Sequence, residues 1–345
     1  MRRTPAPLRV AAVLVTHNRP QLLLQALAAL RAQTRPLDAI YVVDNASDLP
    51  GAAAIGAAAV TASLARPDAV RVLRSDTNLG GAGGFALGMA RAFAAGHDWI
   101  WLLDDDAMAR PDALARLLDA AGGPALDQDA NRDANREMHG KIGALCGTVR
   151  EFGDIALRHR RRYHLPTGIE RPLPRAAYDG PPCRVDTASF VGFLVSAAAI
   201  AEVGMPERAF FLAYDDTEYS LRLQRAGLPL WMVPDSVVEH LRGRRARLRA
   251  GPFGAKHYFT IRNRIAVARA YATLPLVPAA LTLLFALALW LGSSGRLRRG
   301  ALRILLRAIG DGLQRRLGPF PAALARLQRR PGPAQVSAGT GPGRA

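Results

Sequence analysis

The sequence predicts an α/β fold with a mainly parallel sheet, and three observations support this prediction. Short runs of β-branched and aliphatic residues alternate with longer stretches rich in Ala and Leu, which is typical of βαβ units. The stretches between the runs are long enough to connect parallel strands. Several runs also end on polar residues, as strands do at the edge where such sheets bind ligands. Residues 1–240 are therefore expected to form one α/β domain.

The expected strands share a short apolar run that is bounded by polar or turn-forming residues. They are Val10–Thr16, Ile40–Asp44, Val70–Arg74, Trp99–Leu103, Ile142–Val149, Phe190–Ser196 and Leu230–Val233. The expected helices are Gln21–Ala32, Ala52–Ala65, Phe85–Ala95 and about Asp216–Ala226. The tandem Asp-Ala-Asn-Arg stretch within residues 127–137 is polar, and we expect it to be a solvated loop.

The net charge of +18 is concentrated in the carboxyl-terminal part of the chain. Residues 1–240 contain 26 Lys and Arg against 27 Asp and Glu, whereas residues 241–345 contain 20 basic residues and one acid, Asp311. A nucleic-acid binding protein would carry its basic residues on the folded domain. This distribution therefore favours an anionic membrane surface as the partner. Cys146 and Cys183 are too few and too far apart for a disulfide framework or a zinc cluster.

Three consecutive carboxylates, Asp104, Asp105 and Asp106, directly follow the expected strand Trp99–Leu103. Strand side chains alternate between faces, so Asp104 and Asp106 should point the same way and could share one divalent cation. Asp105 should point elsewhere. Three adjacent like charges repel one another, and a cation or an arginine would relieve that cost. An acidic loop or a helix cap before Pro111 is the alternative interpretation.

A glycine-rich segment, Asn78–Phe85, lies between an expected strand and an expected helix. Its glycines, among them Gly80 and Gly81, would let backbone N–H groups approach a phosphate or a sugar near the helix start. The spacing matches neither the dinucleotide fingerprint nor the P-loop. A tight turn without a ligand is an equally weighted interpretation.

The segment Tyr214–Tyr219 opens the next expected helix with several carboxylates. Asp215 and Glu218 have the spacing of a capping box, so capping is the expected role of Asp215. Asp216 is then free to face the crevice, where a neighbouring carboxylate would raise its pKa toward that of a general base. Stabilisation of the helix dipole is the alternative role of Asp216. His240 ends an apolar segment and is a candidate ligand for a divalent cation.

The carboxyl-terminal segment has the composition of a membrane anchor. No charged residue occurs between Arg269 and Arg296, and Leu276–Leu291 is almost wholly apolar. Arginines flank both sides, so the positive-inside rule gives a single span no direction. A following helix would carry an apolar face and an arginine face, formed by Leu297, Ala301, Ile304, Leu305 and Ala308 and by Arg299, Arg303 and Arg307. We therefore expect a hairpin or surface-lying anchor, with packing on the catalytic domain or on a partner subunit as the alternative.

These features divide the chain into four expected parts. The catalytic domain spans residues 1–240, and a basic connecting segment spans residues 241–270. Membrane-associated helices span residues 271–330. Residues 331–345 are rich in Pro, Gly and Ala, which predicts a disordered tail.

The motifs, in this order, resemble those of family 2 glycosyltransferases of the GT-A fold. The matching segments are Val-Thr-His-Asn-Arg-Pro near the start, Val42–Ser47, Asn78-Leu79-Gly80, the three aspartates and Asp215-Asp216. The similarity covers about residues 8–265. Within the family, Asn78–Phe85 and Trp99–Ala107 look most like bacterial galactofuranosyltransferases, with rhamnosyltransferases next. The Gln-x-x-Arg-Trp pattern of processive synthases is missing, which argues against processive synthesis of long chains.

The resemblance implies a GT-A fold, in which helices flank a Rossmann-like sheet, and it implies a role for each matching residue. The implied contacts to the nucleotide-sugar donor are Thr16, Asn18 and Asp44 for the base and ribose, together with Asn78, Gly80, Gly81 and Asp105. The implied ligands of Mn²⁺ or Mg²⁺ are Asp104, Asp106 and His240, and the implied catalytic base is Asp216.

Contacts to the acceptor are expected from a second group of residues. These are Asp215, Tyr258, Arg262 and Asn263. The last three lie in the sequence between the crevice and the anchor, where they could meet a diphosphate.

The expected activity is inverting, metal-dependent transfer of galactofuranose from UDP-galactofuranose to a polyprenyl-diphosphate-linked or other glycan acceptor. The expected location is the cytoplasmic face of the bacterial plasma membrane. A rhamnosyltransferase that uses dTDP-rhamnose is the nearest alternative. An Asp-x-Asp phosphohydrolase would need a nucleophilic aspartate after its first strand, but here that strand ends in Thr16-His17-Asn18. No nucleic-acid partner is expected, and a basic nucleic-acid-binding protein is the other distant alternative.

Overall fold

The structure is an α/β domain followed by a group of helices. The computed structural model describes residues 8–63, 70–122, 142–241, 253–274, 276–293 and 299–328. The strands are β1 Val10–Thr16, β2 Ala39–Asn45, β3 Val70–Ser75, β4 Trp99–Asp104, β5 Ala107–Ala109, β6 Ala144–Glu151, β7 Asp154–Ile155, β8 Arg160–His164, β9 Ile169–Pro172, β10 Cys183–Val185, β11 Thr187–Ala188, β12 Phe193–Ser196 and β13 Leu230–His240. The helices are α1 Pro20–Arg31, α2 Leu49–Ser63, α3 Gly80–Ala94, α4 Ala113–Gly122, α5 Ala197–Val203, α6 Asp215–Arg225, α7 Ala255–Tyr271, α8 Leu276–Gly292, α9 Arg299–Leu313 and α10 Ala322–Gln328.

The main sheet has ten strands in the order β10-β13-β6-β12-β4-β1-β2-β3, with β5 beside β13 and β7 beside β6. Strands β3, β2, β1 and β4 run parallel to one another, whereas β12 is antiparallel to both of its neighbours. The sheet is therefore mixed, because β6 and β13 are also parallel to each other, whereas β12, β10, β5 and β7 form antiparallel pairs. The expectation of a mainly parallel sheet holds for the first half and for the pair of β6 and β13. A short apolar run carries no signal of strand direction, so the sequence could not reveal the reversal.

Helix α3 begins at Gly80, earlier than the expected Phe85, because tertiary packing offsets the low helix propensity of its glycines. A Cβ at Gly84 would lie 2.7 Å from the Val15 side chain, and one at Gly88 would lie 2.3 Å from Val13. These glycines therefore let α3 approach β1 more closely than larger residues would. Part of the glycine-rich segment serves packing.

Strand β13 continues to His240, well beyond the expected end at Val233. The sequence Pro234-Asp235-Ser236 resembles a strand break, but the structure forms a bulge there and pairing with β6 resumes at Val237. Side chains stabilise the bulge, since Thr148 Oγ1 donates to the Pro234 carbonyl at 2.7 Å. The extension carries His240 to the edge of the sheet where β4 ends.

Two apolar layers cover the main sheet. One layer contains the buried residues of α1, α2 and α4, and the other contains those of α3, α5 and α6. The central strand β1 is fully buried over Val10–Leu14, as expected for a strand with helices on both faces. A separate sheet, ordered β11-β8-β9, lies beside α6, where Arg161 of β8 reaches Thr217. The tandem Asp-Ala-Asn-Arg stretch lies outside the described residues.

Helices α7–α10 share an apolar core of their own, and we call them the helical lobe. Residues 255–270 were expected to be part of a basic connecting segment, but they form most of the buried helix α7. That expectation is corrected here, because a helix with aromatic and aliphatic residues on several faces is buried on most sides.

The apolar face expected on α9 is covered by protein. Ala301, Ile304, Leu305 and Ala308 are buried against the other helices of the lobe, so this face is not free to lie on a membrane. The alternative interpretation, packing within the protein, is the one the structure adopts. The exposed large apolar side chains of these helices lie mainly on α8 and are Val277, Leu283, Leu284, Leu287 and Leu291, joined by Leu302, Leu306 and Leu313 of α9.

No helix within the described ranges is both long and apolar enough to cross a membrane.

Candidate active site

Asp104, Asp106 and His240 meet at the carboxyl end of β4. Because β13 pairs with β5 and brings His240 opposite Ala107, His240 Nε2 lies 3.1 Å from Asp106 Oδ1. One ligand atom from each of the three side chains lies within 4.8 Å of the others. Two carboxylates and one imidazole are hard or borderline donors that suit Mn²⁺ or Mg²⁺. The three expected ligands therefore converge and could hold one cation.

The protonation of this cluster reflects burial and mutual repulsion. Burial and then the charge of Asp106 raise the pKa of Asp104 to about 7. Burial opposes ionisation of Asp106 as well, but its hydrogen bond with His240 and the positive charges of His240 and Arg19 together outweigh that effect and lower its pKa. Burial also disfavours charged His240, yet the same hydrogen bond raises the pKa of the imidazole. Without a cation the site therefore holds protons that a metal would displace.

Asp105 is buried between Thr16 and Arg19 and is not part of the cluster of three ligand atoms. Thr16 Oγ1 donates to Asp105 at 2.8 Å, and Arg19 Nη1 lies 2.9 Å from an oxygen of Asp105 and 2.9 Å from one of Asp106. Burial raises the pKa of Asp105 to about 6, although Arg19 opposes this. Arg19 thus supplies part of the positive charge that the acidic cluster needs. Sequence reasoning did not assign it a role, although it follows the first strand at the ligand edge.

A second group of side chains holds His240 through the ring nitrogen that does not face Asp106. Glu151, the last residue of β6, accepts from His240 Nδ1 at 2.8 Å and contacts His159 Nε2 at 3.2 Å. Arg158 also pairs with Glu151. Burial disfavours the carboxylate, but the hydrogen bonds from both histidines hold the pKa of Glu151 far below its usual range. Burial lowers the pKa of His159 to about 3, so this ring is neutral.

Sequence reasoning missed Glu151 and His159. Glu151 was detectable in principle, because it lies just past the expected strand Ile142–Val149 at the same edge as the other ligand-type residues. His159 gave no signal, since its position against Glu151 depends on the path of the short strands that follow β6.

The residues that were expected to bind the nucleotide lie at or just after the carboxyl ends of β1 and β2. Asp44 is buried, accepts from the Ser47 amide at 3.0 Å and pairs with Arg74 of β3. Asn18 has φ of 54° and accepts from the Asp48 amide at 2.9 Å. Thr16, Asn18 and Asp44 are therefore brought to one edge, together with Arg74, which sequence reasoning did not identify.

Asn78 and the start of α3 join this edge through Asn45. Asn45 Nδ2 donates to the Gly80 carbonyl at 3.0 Å, and Asn45 Oδ1 accepts from the Leu79 amide at 2.8 Å. Asn78 Oδ1 accepts from the Gly80 amide at 2.8 Å. A Cβ at Gly80 would lie 1.9 Å from the Phe211 carbonyl oxygen, whereas Gly81 faces open space. Packing therefore requires a glycine at position 80, whereas the space beside Gly81 is free to accept a ligand.

Asp215 and Asp216 form the first turn of α6, and the expected capping box is absent. Tyr214 occupies the N-cap position without a side-chain cap, and Glu218 pairs with Arg222 at 2.8 Å instead. Asp215 was assigned the cap because the spacing alone suggested it, but the helix begins one residue earlier than that assignment requires. The sequence could not show this offset.

The two aspartates face different neighbours. Burial, then the charges of Asp216 and Asp104, raise the pKa of Asp215 well above its usual range. Burial also raises the pKa of Asp216, but the Arg161 guanidinium opposes this, and the Thr217 amide donates to Asp216 at 2.6 Å. Asp215 therefore lies on the side of the metal ligands, and Asp216 is the member of the pair that is better able to carry a negative charge.

Tyr258, Arg262 and Asn263 do not line the crevice. Their exposed fractions are 1%, 0% and 0%. Tyr258 donates to Asp311 at 2.7 Å, and Arg262 and Asn263 donate to backbone carbonyl groups. The expected contact with an acceptor diphosphate is wrong for these three residues, because their polar atoms are already engaged inside the protein.

Comparison with known proteins identifies relatives across most of the chain. The family description "Glycosyl transferase family 2" matches residues 11–171. Galactofuranosyltransferase GlfT1 of Mycobacterium tuberculosis is 35% identical over 268 residues, which are 74% of this chain and 80% of the relative. GlfT1 of Mycolicibacterium smegmatis is 31% identical over 265 residues, which are 74% of this chain and 81% of the relative.

Solved structures with low sequence identity share the fold. GalNAc-T7 with UDP, GalNAc and Mn²⁺ has a TM-score of 0.57 at 16% identity; the match covers 77% of this chain and 48% of GalNAc-T7, so the chain spans about half of that protein. S. aureus TarS 1-349 with UDP-GlcNAc has a TM-score of 0.55 at 12% identity, and the match covers 93% of this chain and 84% of TarS 1-349. Mannosyltransferase PcManGT from Pyrobaculum calidifontis, with GDP-Man and Mn²⁺, has a TM-score of 0.52 at 16% identity. The match covers 94% of this chain and 79% of PcManGT. The α/β fold of this chain is thus GT-A-like.

Proposed function

This chain belongs to glycosyltransferase family 2, and we propose that it transfers galactofuranose from UDP-galactofuranose to a glycan acceptor with inversion at the anomeric carbon. The observation that carries the donor assignment is the 35% identity to GlfT1 over 80% of that galactofuranosyltransferase. The proposed donor contacts, the clustered carboxylates and His240 all lie at one edge of the sheet. This arrangement supports transfer of a sugar from a nucleotide as the type of reaction.

The proposed cation site is formed by Asp104, Asp106 and His240, whose donor atoms fit Mn²⁺ or Mg²⁺. A bound divalent ion would supply positive charge to the nucleoside diphosphate as it leaves. The Mn²⁺ in the GalNAc-T7 and PcManGT structures supports this assignment.

The proposed base is Asp216. Inversion requires the acceptor oxygen to attack the anomeric carbon on the face opposite the diphosphate, while the hydroxyl proton passes to a carboxylate. Arg161 and the Thr217 amide favour the ionised form of Asp216, whereas the charges of Asp216 and Asp104 oppose ionisation of Asp215. Asp44, Asn18 and Thr16, with Asn78, Gly81 and Asp105, are the proposed donor contacts. Asp215 remains the proposed acceptor contact.

A donor panel tests this proposal. The protein is incubated with an acceptor extract and with UDP-galactofuranose, UDP-galactopyranose or dTDP-rhamnose, and released nucleoside diphosphate is measured with Mn²⁺, with Mg²⁺ and with chelator. We expect release from UDP-galactofuranose that chelation abolishes. Preference for dTDP-rhamnose would replace the galactofuranose assignment, and turnover unaffected by chelation would reject the metal site.

The proposed location is the cytoplasmic face of the bacterial plasma membrane, at an anionic lipid surface where polyprenyl-diphosphate-linked acceptors reside. Support comes from the exposed leucines of α8, among them Leu284 and Leu287, and from the 20 basic residues and one acid of residues 241–345. Apolar side chains next to basic charge favour binding to anionic lipid. The contact surface is now assigned to α8 and not to the buried face of α9.

Vesicle sedimentation tests this location with a matched pair of variants. Leu284 on α8 and Val60 on α2 are both 64% exposed, so Leu284→Glu and Val60→Glu add the same charge at equally exposed positions. We expect the protein and V60E to sediment with phosphatidylglycerol vesicles but not with phosphatidylcholine vesicles, and L284E to lose binding. Equal binding by L284E and V60E would exclude α8 as the anchor.

A further inference from the structure

The turn Phe210–Tyr214, which we call the base-bearing turn, leads directly into the two aspartates of α6 and has an unusual backbone. Phe211, Ala213 and Tyr214 have φ of 63°, 65° and 66°, and none is glycine. The Leu212 amide donates to the Phe210 carbonyl at 2.7 Å, so Phe211 is the centre of a γ-turn that L-residues rarely adopt. Such a conformation persists only where surrounding contacts hold it.

The side-chain amide of Asn263 supplies several of these contacts from helix α7. Its Nδ2 group lies 3.0, 2.9 and 2.7 Å from the carbonyl oxygens of Phe210, Leu212 and Ala213. Its Oδ1 atom accepts from Arg262 Nε at 2.7 Å, which fixes the orientation of the amide. Asn263 is fully buried, so the contacts are not shared with solvent.

Arg262 holds the beginning of the same turn. Its Nη2 donates to the Phe210 carbonyl at 2.8 Å, and its Nη1 donates to the Gly318 carbonyl at 2.6 Å. The guanidinium is 0% exposed, and it donates to carbonyl groups and to the Asn263 amide, none of which carries a charge. A buried charge is costly, and apolar residues would pack a helix at lower cost. We therefore infer that the N–H groups of the guanidinium serve to hold these backbone carbonyl groups in place.

The opposite side of the turn is held by the start of α3. The Ala82 amide lies 3.3 Å from the Phe211 carbonyl, and Gly80 packs directly beneath it. The Gly318 amide donates to the Ala209 carbonyl at 2.7 Å. Every carbonyl group from Ala209 to Ala213 thus accepts at least one hydrogen bond. A change in the backbone of the turn would have to break at least one of these bonds.

We propose that Arg262 and Asn263 are positioning residues that lock the base-bearing turn, so that Asp216 keeps its position relative to the metal ligands. This inference rests on the proposed role of Asp216 as the base. It makes helix α7 part of the catalytic unit, although α7 touches no substrate. The side-chain amide of Asn263 acts through the backbone that carries the base.

The test combines kinetics with hydrogen exchange on the full chain. Asn263→Leu removes the donors at similar volume, and Arg262→Lys keeps the charge but loses the fork, which gives a milder second variant. Thr282→Val is the matched control, because it removes one buried hydrogen bond of the same lobe, from Thr282 Oγ1 to the Pro278 carbonyl at 2.6 Å. Turnover, donor KM, UDP affinity with Mn²⁺, and exchange of the peptide 208–216 are measured for each.

We expect turnover of N263L to fall about 100-fold, as misplacement of a reacting group by about 1 Å can do. Donor KM and UDP affinity should stay within about threefold of the unaltered protein, because none of the proposed donor contacts lies within the turn. Exchange should accelerate in peptide 208–216 and not in β1. R262K should change in the same direction by less, and T282V should leave all four quantities unchanged.

Two results would overturn the proposal. Turnover of N263L close to that of T282V would show that the turn needs no lock, and equal acceleration of exchange in β1 and in peptide 208–216 would show a general loss of stability. If the unaltered protein releases nucleoside diphosphate from no donor, the proposed function fails. In that case the exchange measurement alone decides whether Arg262 and Asn263 hold the turn.

Discussion

Replacement of Glu151 by glutamine should weaken metal binding, although Glu151 is not itself a proposed ligand. Glu151 accepts from His240 Nδ1 at 2.8 Å, so the proton on that nitrogen stays there and the Nε2 lone pair faces Asp106 and the cation site. Glutamine has nearly the same size but no charge. Its amide also presents donors toward His159, which disturbs the orientation of the network.

The expected magnitude follows from the bond that is weakened. A hydrogen bond to a charged group contributes about 1.5–3 kcal/mol, and about 1.4 kcal/mol corresponds to a tenfold change in an equilibrium constant. We therefore expect Mn²⁺ to bind about 10–100-fold more weakly, in the range usual for residues that orient a metal-ligating histidine. Affinity for UDP without metal should not change.

The assay is titration of the protein with Mn²⁺ followed by the electron paramagnetic resonance signal of the free ion. Glu239→Gln is the matched control, since Glu239 lies next to His240 on β13 but forms partly exposed ion pairs, with Arg110 at 2.9 Å and Arg150 at 3.9 Å, which contribute little. Mn²⁺ affinity of E151Q within about threefold of E239Q would refute the reasoning, because the orienting bond would then have no effect on the ligand.

Three further predictions concern the base, the protons of the metal site and the start of α3. Asp216→Asn should lower turnover by about 10²–10⁴-fold with UDP affinity unchanged in a binding titration, and loss of that affinity would make Asp216 structural. Because burial raises the pKa of Asp104 to about 7, Mn²⁺ must displace a proton at lower pH, so calorimetry should show affinity falling as pH drops from about 7 to 5; an affinity that does not vary with pH would contradict this. Gly80→Ala should lower the unfolding midpoint in a thermal melt, since its Cβ would lie 1.9 Å from the Phe211 carbonyl at a φ of 69°, and the expected loss is about 2–4 kcal/mol. Gly81→Ala, which meets no neighbour within 4 Å, should melt like the unaltered protein, and equal midpoints for the two variants would show that the turn can yield.

The first half of the fold was predictable because it depends on local patterns. Val10–Thr16 was predicted with the bounds that the structure has, and Trp99–Leu103 is one residue short of β4. Apolar runs that end on polar residues place those residues at one edge of a parallel sheet, so the placement of Asp44 and the three aspartates at the same edge followed from the sequence. The reversal of β12 did not, because hydrophobicity has no direction along the chain.

The carboxyl-terminal helices show where local pattern misleads. An amphipathic face predicts that something apolar covers Ile304 and Leu305, but it cannot tell a membrane from a neighbouring helix. The structure covers this face with protein and leaves Leu284 of α8 exposed instead. Likewise, Arg262 and Asn263 looked like anion contacts because charge and amide groups suit phosphate, and only their burial shows that they hold a backbone turn.

The sequence alone determined the GT-A-like class of this chain and the candidate ligands Asp104, Asp106 and His240, because these depend on residue type and order along the chain. Tertiary structure decided which side chains support them. Glu151 lies 89 positions from His240 yet 2.8 Å from its ring, and Asn263 lies 50 positions from the carbonyl group of Ala213 that it binds. Contacts between residues so far apart in sequence exist only after the chain has folded, since they depend on strand direction, bulges and helix packing that no local pattern encodes.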